Sequence, residues 1–149
     1  ISLRLSGVVA RPGAPSGMKS AFLSHLFHAL RAGESFVMPV SENGACWLTS
    51  VECAASNFAH ALMADLTLAP ANRAVTLPAL HVRMGDLVAA VIEKAGSPPV
   101  PVSYAPDAEL EATFGSYPPL TTRAADELGF SNDGDLAVLV ERALAQCED

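Results

Sequence analysis

Residues 3–9, Leu-Arg-Leu-Ser-Gly-Val-Val, are rich in leucine and β-branched side chains and run into Pro12-Gly13, which predicts a strand ending in a turn. A strand cannot stand alone, because each residue carries a backbone donor and acceptor that need partners. This one has nothing ahead of it and no initiator methionine, so it reads as a strand from inside a larger sheet. Its edge resembles a cut, and its unpaired N–H and C=O groups are expected to find a substitute neighbour.

Beyond it, strand and helix patterns alternate. After the breaks at Gly13, Pro15 and Gly17, Phe22, Leu26 and Leu30 recur at four-residue spacing and predict a helix over 18–32, stopped by Gly33. Short extended pieces follow at 36–40 and 46–49, with a polar turn at 41–44 between them. Thr49-Ser-Val-Glu52 has the form of a capping box, and the helix it would start carries Val51, Ala55, Phe58 and Leu62 on one face, read as the buried one. The alanines of that helix permit close approach to a neighbour. A strand over 73–77 ends at Pro78. Met84, Leu87, Val88, Val91 and Ile92 then form a helical stripe ended by Gly96. Pro98-Pro-Val-Pro101 leads into a short strand at 102–104. Helices follow at 107–114, 122–128 (after Pro118-Pro119) and 135–145, the last with Leu136, Leu139, Val140 and Ala143 inward. The alternation implies an α/β or α+β arrangement in a single unit spanning 1–149.

Composition narrows the function classes. Half of the 149 residues are hydrophobic, and the mean hydropathy is +0.30. No stretch reaches the ~18 uninterrupted apolar residues of a membrane helix, and no signal peptide is visible, so neither membrane association nor export is expected. The apolar surplus fits a surface that packs on another domain or subunit, leaving a homo-oligomer open; a well-filled core is the alternative. Nine basic against sixteen acidic residues give a net charge of −7, and the basic residues are scattered, which argues against nucleic acid as a partner. Cys46, Cys53 and Cys147 are odd in number with no Cys-x-x-Cys pair, as expected of reduced thiols in a cytoplasmic protein. His25 and His28 share a helix face, but no carboxylate or thiol joins them at ligand spacing, so no metal site is expected.

Several motifs are missing. No glycines form Gly-x-Gly-x-x-Gly or Gly-x-x-Gly-x-x-Gly, and no Gly-Lys-Ser/Thr is present, so the sequence holds no loop to cradle a pyrophosphate. Tyr104 and Tyr117 are followed four positions on by Ala108 and Thr121, so neither forms a Tyr-x-x-x-Lys pair for proton transfer. Gly-x-Ser-x-Gly is absent as well. No catalytic residue is identified in the chain.

Four blocks, in order, carry a resemblance. Leu3-Arg-Leu-Ser-Gly-Val-Val9 resembles a Leu-Arg-x-x-Asn-Val-Tyr strand. Cys46-Trp-Leu-Thr-Ser-Val-Glu-Cys-Ala54 resembles Asp-Trp/Phe-Ile-His-Val-Asp-Asp-Val-Ala. Ala74-Val-Thr-Leu77 with Val82-Arg-Met-Gly-Asp-Leu-Val88 resembles a Tyr-Asn-Val-Gly strand and its following helix. Thr121-Thr-Arg-Ala-Ala-Asp-Glu-Leu-Gly-Phe130 resembles Asp-Thr-Ser-Lys-Ala-x-x-Leu-Gly-Trp. Together they are similar to the C-terminal half of the extended short-chain dehydrogenases, the NAD-dependent epimerase/dehydratase family. Arg11-Pro-Gly, Trp47-Leu-Thr-Ser and Ala74-Val-Thr-Leu-Pro are most similar to members that oxidise D-erythronate, a four-carbon sugar acid.

The resemblance implies the last strands of a Rossmann-type sheet and a small mixed α/β substrate-binding domain, without the N-terminal dinucleotide-binding half. It implies NAD as cofactor, bound mainly by that missing half, and Leu5, Ser6 and Gly7 beside the nicotinamide. Gly7 replaces an asparagine that contacts nucleotide-linked sugars, and Ala45 and Cys46 stand where an arginine often precedes the second block; both favour a small substrate. Arg11 is placed to hold a substrate carboxylate through a bidentate guanidinium, or is a surface arginine at a strand end. Trp47 lies where the family has an aromatic near the cleft, or serves core packing. The implied function is oxidation of a small sugar acid by the intact cytoplasmic enzyme, the chain itself being inactive alone. The rivals are part of a nucleoside-diphosphate-sugar epimerase or dehydratase, and a non-catalytic interaction module of the same fold.

Overall fold

The computed structural model describes residues 1–11, 17–96 and 100–148. The turn expected at Pro12-Gly13 and the stiff Pro98-Pro99 start lie outside these residues. The first strand is two strands, because the backbone changes partner midway. β1 (Ser2–Arg4) pairs in parallel with β5 (Ala74–Thr76), Leu3 opposite Val75. β2 (Gly7–Val9) pairs in parallel with β4 (Ala45–Ser50), Val8 opposite Thr49. Leu5 and Ser6 fall between the two and belong to neither ladder.

β4 is the centre of a three-stranded sheet, flanked by β2 and by the antiparallel β6 (Leu80–Arg83). β6 was missed in the sequence, since four residues behind Pro78 show no alternation long enough to read. A third, two-stranded parallel sheet joins β3 (Phe36–Met38) to β7 (Val102–Tyr104). Parallel neighbours require crossovers, and helices supply them; the class is α/β, as expected, with three small sheets among the described residues.

The main core forms where three helices meet the β4 sheet. α1 (Phe22–Arg31) follows a single 3-10 turn at Lys19–Ala21 and buries Phe22, Leu23, Leu26, Phe27 and Leu30. α3 (Met84–Ala95) buries Met84, Leu87, Val88 and Val91 and ends at Gly96, whose φ of 67° is the left-handed stop that glycine takes without strain. α6 (Leu136–Ala145) is capped by Asp135 and buries Leu139, Val140, Ala143 and Leu144. A smaller core of Val75, Leu77, Ala125, Leu128 and Phe130 holds β5 against the short α5 (Arg123–Glu127). α4 (Ala108–Phe114), capped by Asp107, sets Phe114 edge-on to Phe22 at 6.0 Å. Among the described residues no helix is long and apolar enough to cross a membrane.

α2 (Val51–Ala61) inverts the expectation. Its cap is Ser50, one residue later than predicted: the Ser50 hydroxyl accepts from the Cys53 N–H at 3.0 Å. Thr49 instead closes β4, and Glu52 reaches Arg142 (3.2 Å) rather than the cap. The predicted inner face is the outer one: Ala55 is exposed, Phe58 is 46% exposed and Leu62 is 86% exposed. The inward face is the polar one. Asn57 Nδ2 donates to the Ser131 carbonyl (2.7 Å) while its Oδ1 accepts from the Ser131 N–H (3.2 Å). His60 Nε2 donates to the Leu128 carbonyl (2.7 Å), its ring edge-on to Phe130 at 5.0 Å. Satisfied polar groups bury at little cost, so hydrogen bonds to segment 128–133 outweigh the apolar stripe in setting the helix's rotation.

Two measurements check this fold. Asn57→Ala strips both partners from Ser131 and is expected to cost about 1–3 kcal/mol in urea unfolding, whereas Leu62→Ser stays within about 0.5 kcal/mol; the reverse order contradicts the assigned rotation. Burial pushes the Cys46 thiol from its ordinary 9.0 up to about 12. The folded chain therefore keeps a proton that the unfolded chain loses above pH 9, so Cys46 lowers stability as pH rises from about 9 to about 12, by up to ~1.4 kcal/mol per pH unit. Cys46→Ala is expected to flatten that part of the stability–pH curve; an unchanged slope contradicts it.

Candidate functional site

The partner switch between β1 and β2 builds the site. Leu5 and Ser6, free of either ladder, together with Gly7 form a wall shared by two hollows. The first is a groove of about 670 Å³ between this segment and the outward face of α2, where Val51, Ala54, Ala55 and Phe58 line it. Met18 and Leu23 add apolar surface, and Arg11 is the one charged side chain among the described residues that line it. The second is a cleft of about 280 Å³ on the side of β4, walled by Cys46, Trp47, Phe114 and Tyr117. Ser20 and Leu23 line both hollows, so the two adjoin.

Backbone geometry explains why these residues project as they do. A Cβ on Gly7 would stand 3.2 Å from the Trp47 carbonyl oxygen and 3.3 Å from Leu48 Cδ2, so glycine lets β2 lie close against β4. Ala10, fully buried, has φ of 51°, a left-handed conformation that costs an L-residue about 1–2 kcal/mol and turns the chain as β2 ends. α1 holds the next residue: the Arg11 N–H donates to Ser24 Oγ (3.5 Å) and His28 Nε2 donates to the Arg11 carbonyl (3.2 Å). The Arg11 backbone is thus anchored, and its guanidinium has no hydrogen-bond or ion-pair partner among the described residues.

Trp47 is half-buried. Its indole N–H donates to the Pro118 carbonyl (2.7 Å), and its ring lies 4.7 Å from Tyr117 at 52°. The five residues singled out in the sequence therefore assemble in one region, but Arg11 and Trp47 line different hollows, which share Leu5, Ser6 and Gly7. Tyr117, Ser20 and Phe58 went unrecognised as lining residues. The periodicity of α2 places Phe58 in the core, and Tyr117, which forms no Tyr-x-x-x-Lys pair, carries no other sequence signal for a place in the lining.

The thiols near the site are not activated. Cys46 is held protonated by burial, and burial also raises Cys53, against a hydrogen bond from Thr49 that lowers it. His25 and His28 line a separate hollow of about 490 Å³ beside Phe36. Among the described residues no three His, Cys, Asp or Glu side chains are grouped to hold a metal ion.

No family model matches the chain. It is 26% identical over 144 residues to D-erythronate dehydrogenase of Haemophilus influenzae, covering 95% of this chain and 46% of that protein. It is 27% identical over 133 residues to D-erythronate dehydrogenase of Cupriavidus necator, covering 88% and 41%. Among solved structures, a nucleoside-diphosphate-sugar epimerase from Agrobacterium tumefaciens superposes with a TM-score of 0.79 at 24% identity, over 94% of this chain and 42% of that one. A GalE-like L-threonine dehydrogenase from Cupriavidus necator superposes with a TM-score of 0.85 at 19% identity, over 99% and 47%. The chain spans less than half the length of each of these relatives. Its fold superposes on part of each of these two solved chains, and its sequence is similar to D-erythronate dehydrogenases over most of its own length.

Proposed function

We propose that residues 1–149 form one unit, the C-terminal substrate-binding portion of a cytoplasmic NAD-dependent dehydrogenase that oxidises a small sugar acid of the D-erythronate kind. The observation that carries this is the placement of Leu5, Ser6 and Gly7 between two adjoining hollows, with an unpaired guanidinium in one and an aromatic pair in the other. The names of the two sequence relatives support the substrate class.

The residues present suit one face of a nicotinamide ring. The groove wall of Leu5, Gly7, Val51, Ala54 and Phe58 is apolar, and the Ser6 hydroxyl adds a polar group. They do not suit the phosphates, since no glycine-rich loop is present and Arg11 is the groove's single cation. Those contacts fall to a dinucleotide-binding portion outside the chain, for which the outward stripe of α2 is a ready apolar surface. When bound, NAD supplies the hydride acceptor. The chain's own part is to bind and orient: Leu5 and the α2 face exclude water, and Arg11 holds the acid's carboxylate. The base that takes the hydroxyl proton lies outside the chain, which has no Tyr-x-x-x-Lys pair.

A nucleotide-linked sugar is the weaker reading. The cleft beside Trp47 is lined by no charged side chain, so a diphosphate placed there would lose its hydration without a compensating cation. Under the proposal, D-erythronate titrated into the chain by calorimetry binds with 1:1 stoichiometry. Arg11→Gln weakens it roughly 10–100-fold, as expected for loss of a charge-assisted pair worth about 1.5–3 kcal/mol, and leaves uncharged erythritol unaffected. Equal affinity of the variant for the acid, or NAD reduction by the chain alone, contradicts the proposal; binding of neither compound favours the interaction module.

A further inference from the structure

Two polar side chains of α1 converge on a single residue. Ser24 and His28 stand four positions apart, one turn of helix, and so share a face. Both reach Arg11: its N–H donates to Ser24 Oγ (3.5 Å), and its carbonyl accepts from His28 Nε2 (3.2 Å). The contact to His28 is the shorter and the firmer. A carbonyl only accepts, so the His28 ring carries a proton on Nε2. Ser24 is buried in a helix whose other buried side chains are all apolar, where an unused hydroxyl would be costly. Here the hydroxyl and the imidazole meet the donor and the acceptor of one residue.

What they hold is a turn under strain. Ala10, left-handed at φ 51° and fully buried, sets the direction in which the chain leaves β2. The cost of one left-handed L-residue and the gain from one or two hydrogen bonds are of the same order, so the two contacts are large enough to hold that turn. Relaxation of Ala10 toward negative φ would redirect the Arg11 side chain. Its guanidinium is the one charged group among the described residues that line the groove, and no described side chain pairs with it there. The hold on its backbone is therefore what fixes where the side chain starts. We infer that His28, with Ser24, is a positioning residue that presents the Arg11 guanidinium to the groove for a substrate carboxylate. The inference rests on the sugar-acid reading for the carboxylate; the hold on Arg11 does not depend on it.

The test is a double-mutant cycle of His28 with Arg11, read by calorimetry with D-erythronate and with uncharged erythritol. His28→Leu removes the donor and is expected to weaken D-erythronate roughly 3–10-fold, as for loss of one hydrogen bond. In the Arg11→Gln background the same change is expected to have no further effect, and erythritol binding is unaltered in both. His28→Gln, whose amide nitrogen reaches about as far as Nε2, keeps the wild-type affinity. His28→Asn, too short to reach, replaces the leucine variant should that chain not fold. NMR relaxation of the Arg11 amide needs no ligand. Its order parameter is expected near ~0.85 in the wild type and His28→Gln, and below ~0.6 in His28→Leu. An equal loss of D-erythronate affinity in both backgrounds, an equal loss for erythritol, no rescue by glutamine, or an unchanged order parameter overturns the inference. A wild-type chain that binds no D-erythronate overturns the sugar-acid reading, and the order parameter then decides by itself whether His28 holds Arg11.

Discussion

The Asp133 carboxylate holds this architecture in register. It is fully buried and receives four donors: the Ser50 N–H (3.0 Å), the Ser50 hydroxyl (2.6 Å), the Thr49 hydroxyl (3.2 Å) and Arg142 Nη1 (3.0 Å). A buried charge costs several kcal/mol unless its lone pairs are met, and here all the donors converge on it. One carboxylate thereby ties the end of β4, the start of α2 and the body of α6 together. Ser50 also caps α2, so the same contact fixes where that helix begins and, with Asn57 and His60, which way it is rotated.

That rotation decides what the molecule presents. With polar side chains turned inward, α2 offers Val51, Ala55, Phe58 and Leu62 to the outside and forms one wall of the larger groove. The opposite wall exists because the first strand leaves β5 and joins β4, exposing two residues free of both ladders. β2 is an edge strand of its sheet among the described residues, so the expected edge persists, on the side of β2 away from β4. An apolar helix face beside an open edge and a single guanidinium among the described lining residues is what supports the proposal that the chain partners a dinucleotide-binding portion.

How much of this the sequence discloses depends on the kind of force involved. α1, α3 and α6 were legible because their apolar faces do what periodicity assumes and meet a common core: Leu26, Leu87 and Leu139 are all fully buried. α2 was not, since the burial of the helix and its Ser50 cap is driven by hydrogen bonds to residues 68 to 83 positions away, which no local window contains. The capping box failed for a related reason: the Thr49 hydroxyl is drawn off to Asp133, and Ser50 takes its place. The wall at Leu5, Ser6 and Gly7 was located through family resemblance, yet the reason for it, a change of strand partner, is a tertiary fact. Tyr117 has no local signal; it joins the cleft through its ring contact with Trp47, 70 residues earlier in the chain.

The segment from Leu5 to Arg11, with Ser20 and Trp47, is the small-molecule site proposed for this chain. An amide-resolved NMR titration with D-erythronate tests it most directly. The account predicts saturable shifts confined to the backbone amides of Leu5, Ser6, Gly7, Arg11 and Ser20 and to the Trp47 indole N–H. Shifts centred instead on the separate hollow around His25, His28 and Phe36, or no shifts at saturating ligand, would contradict it.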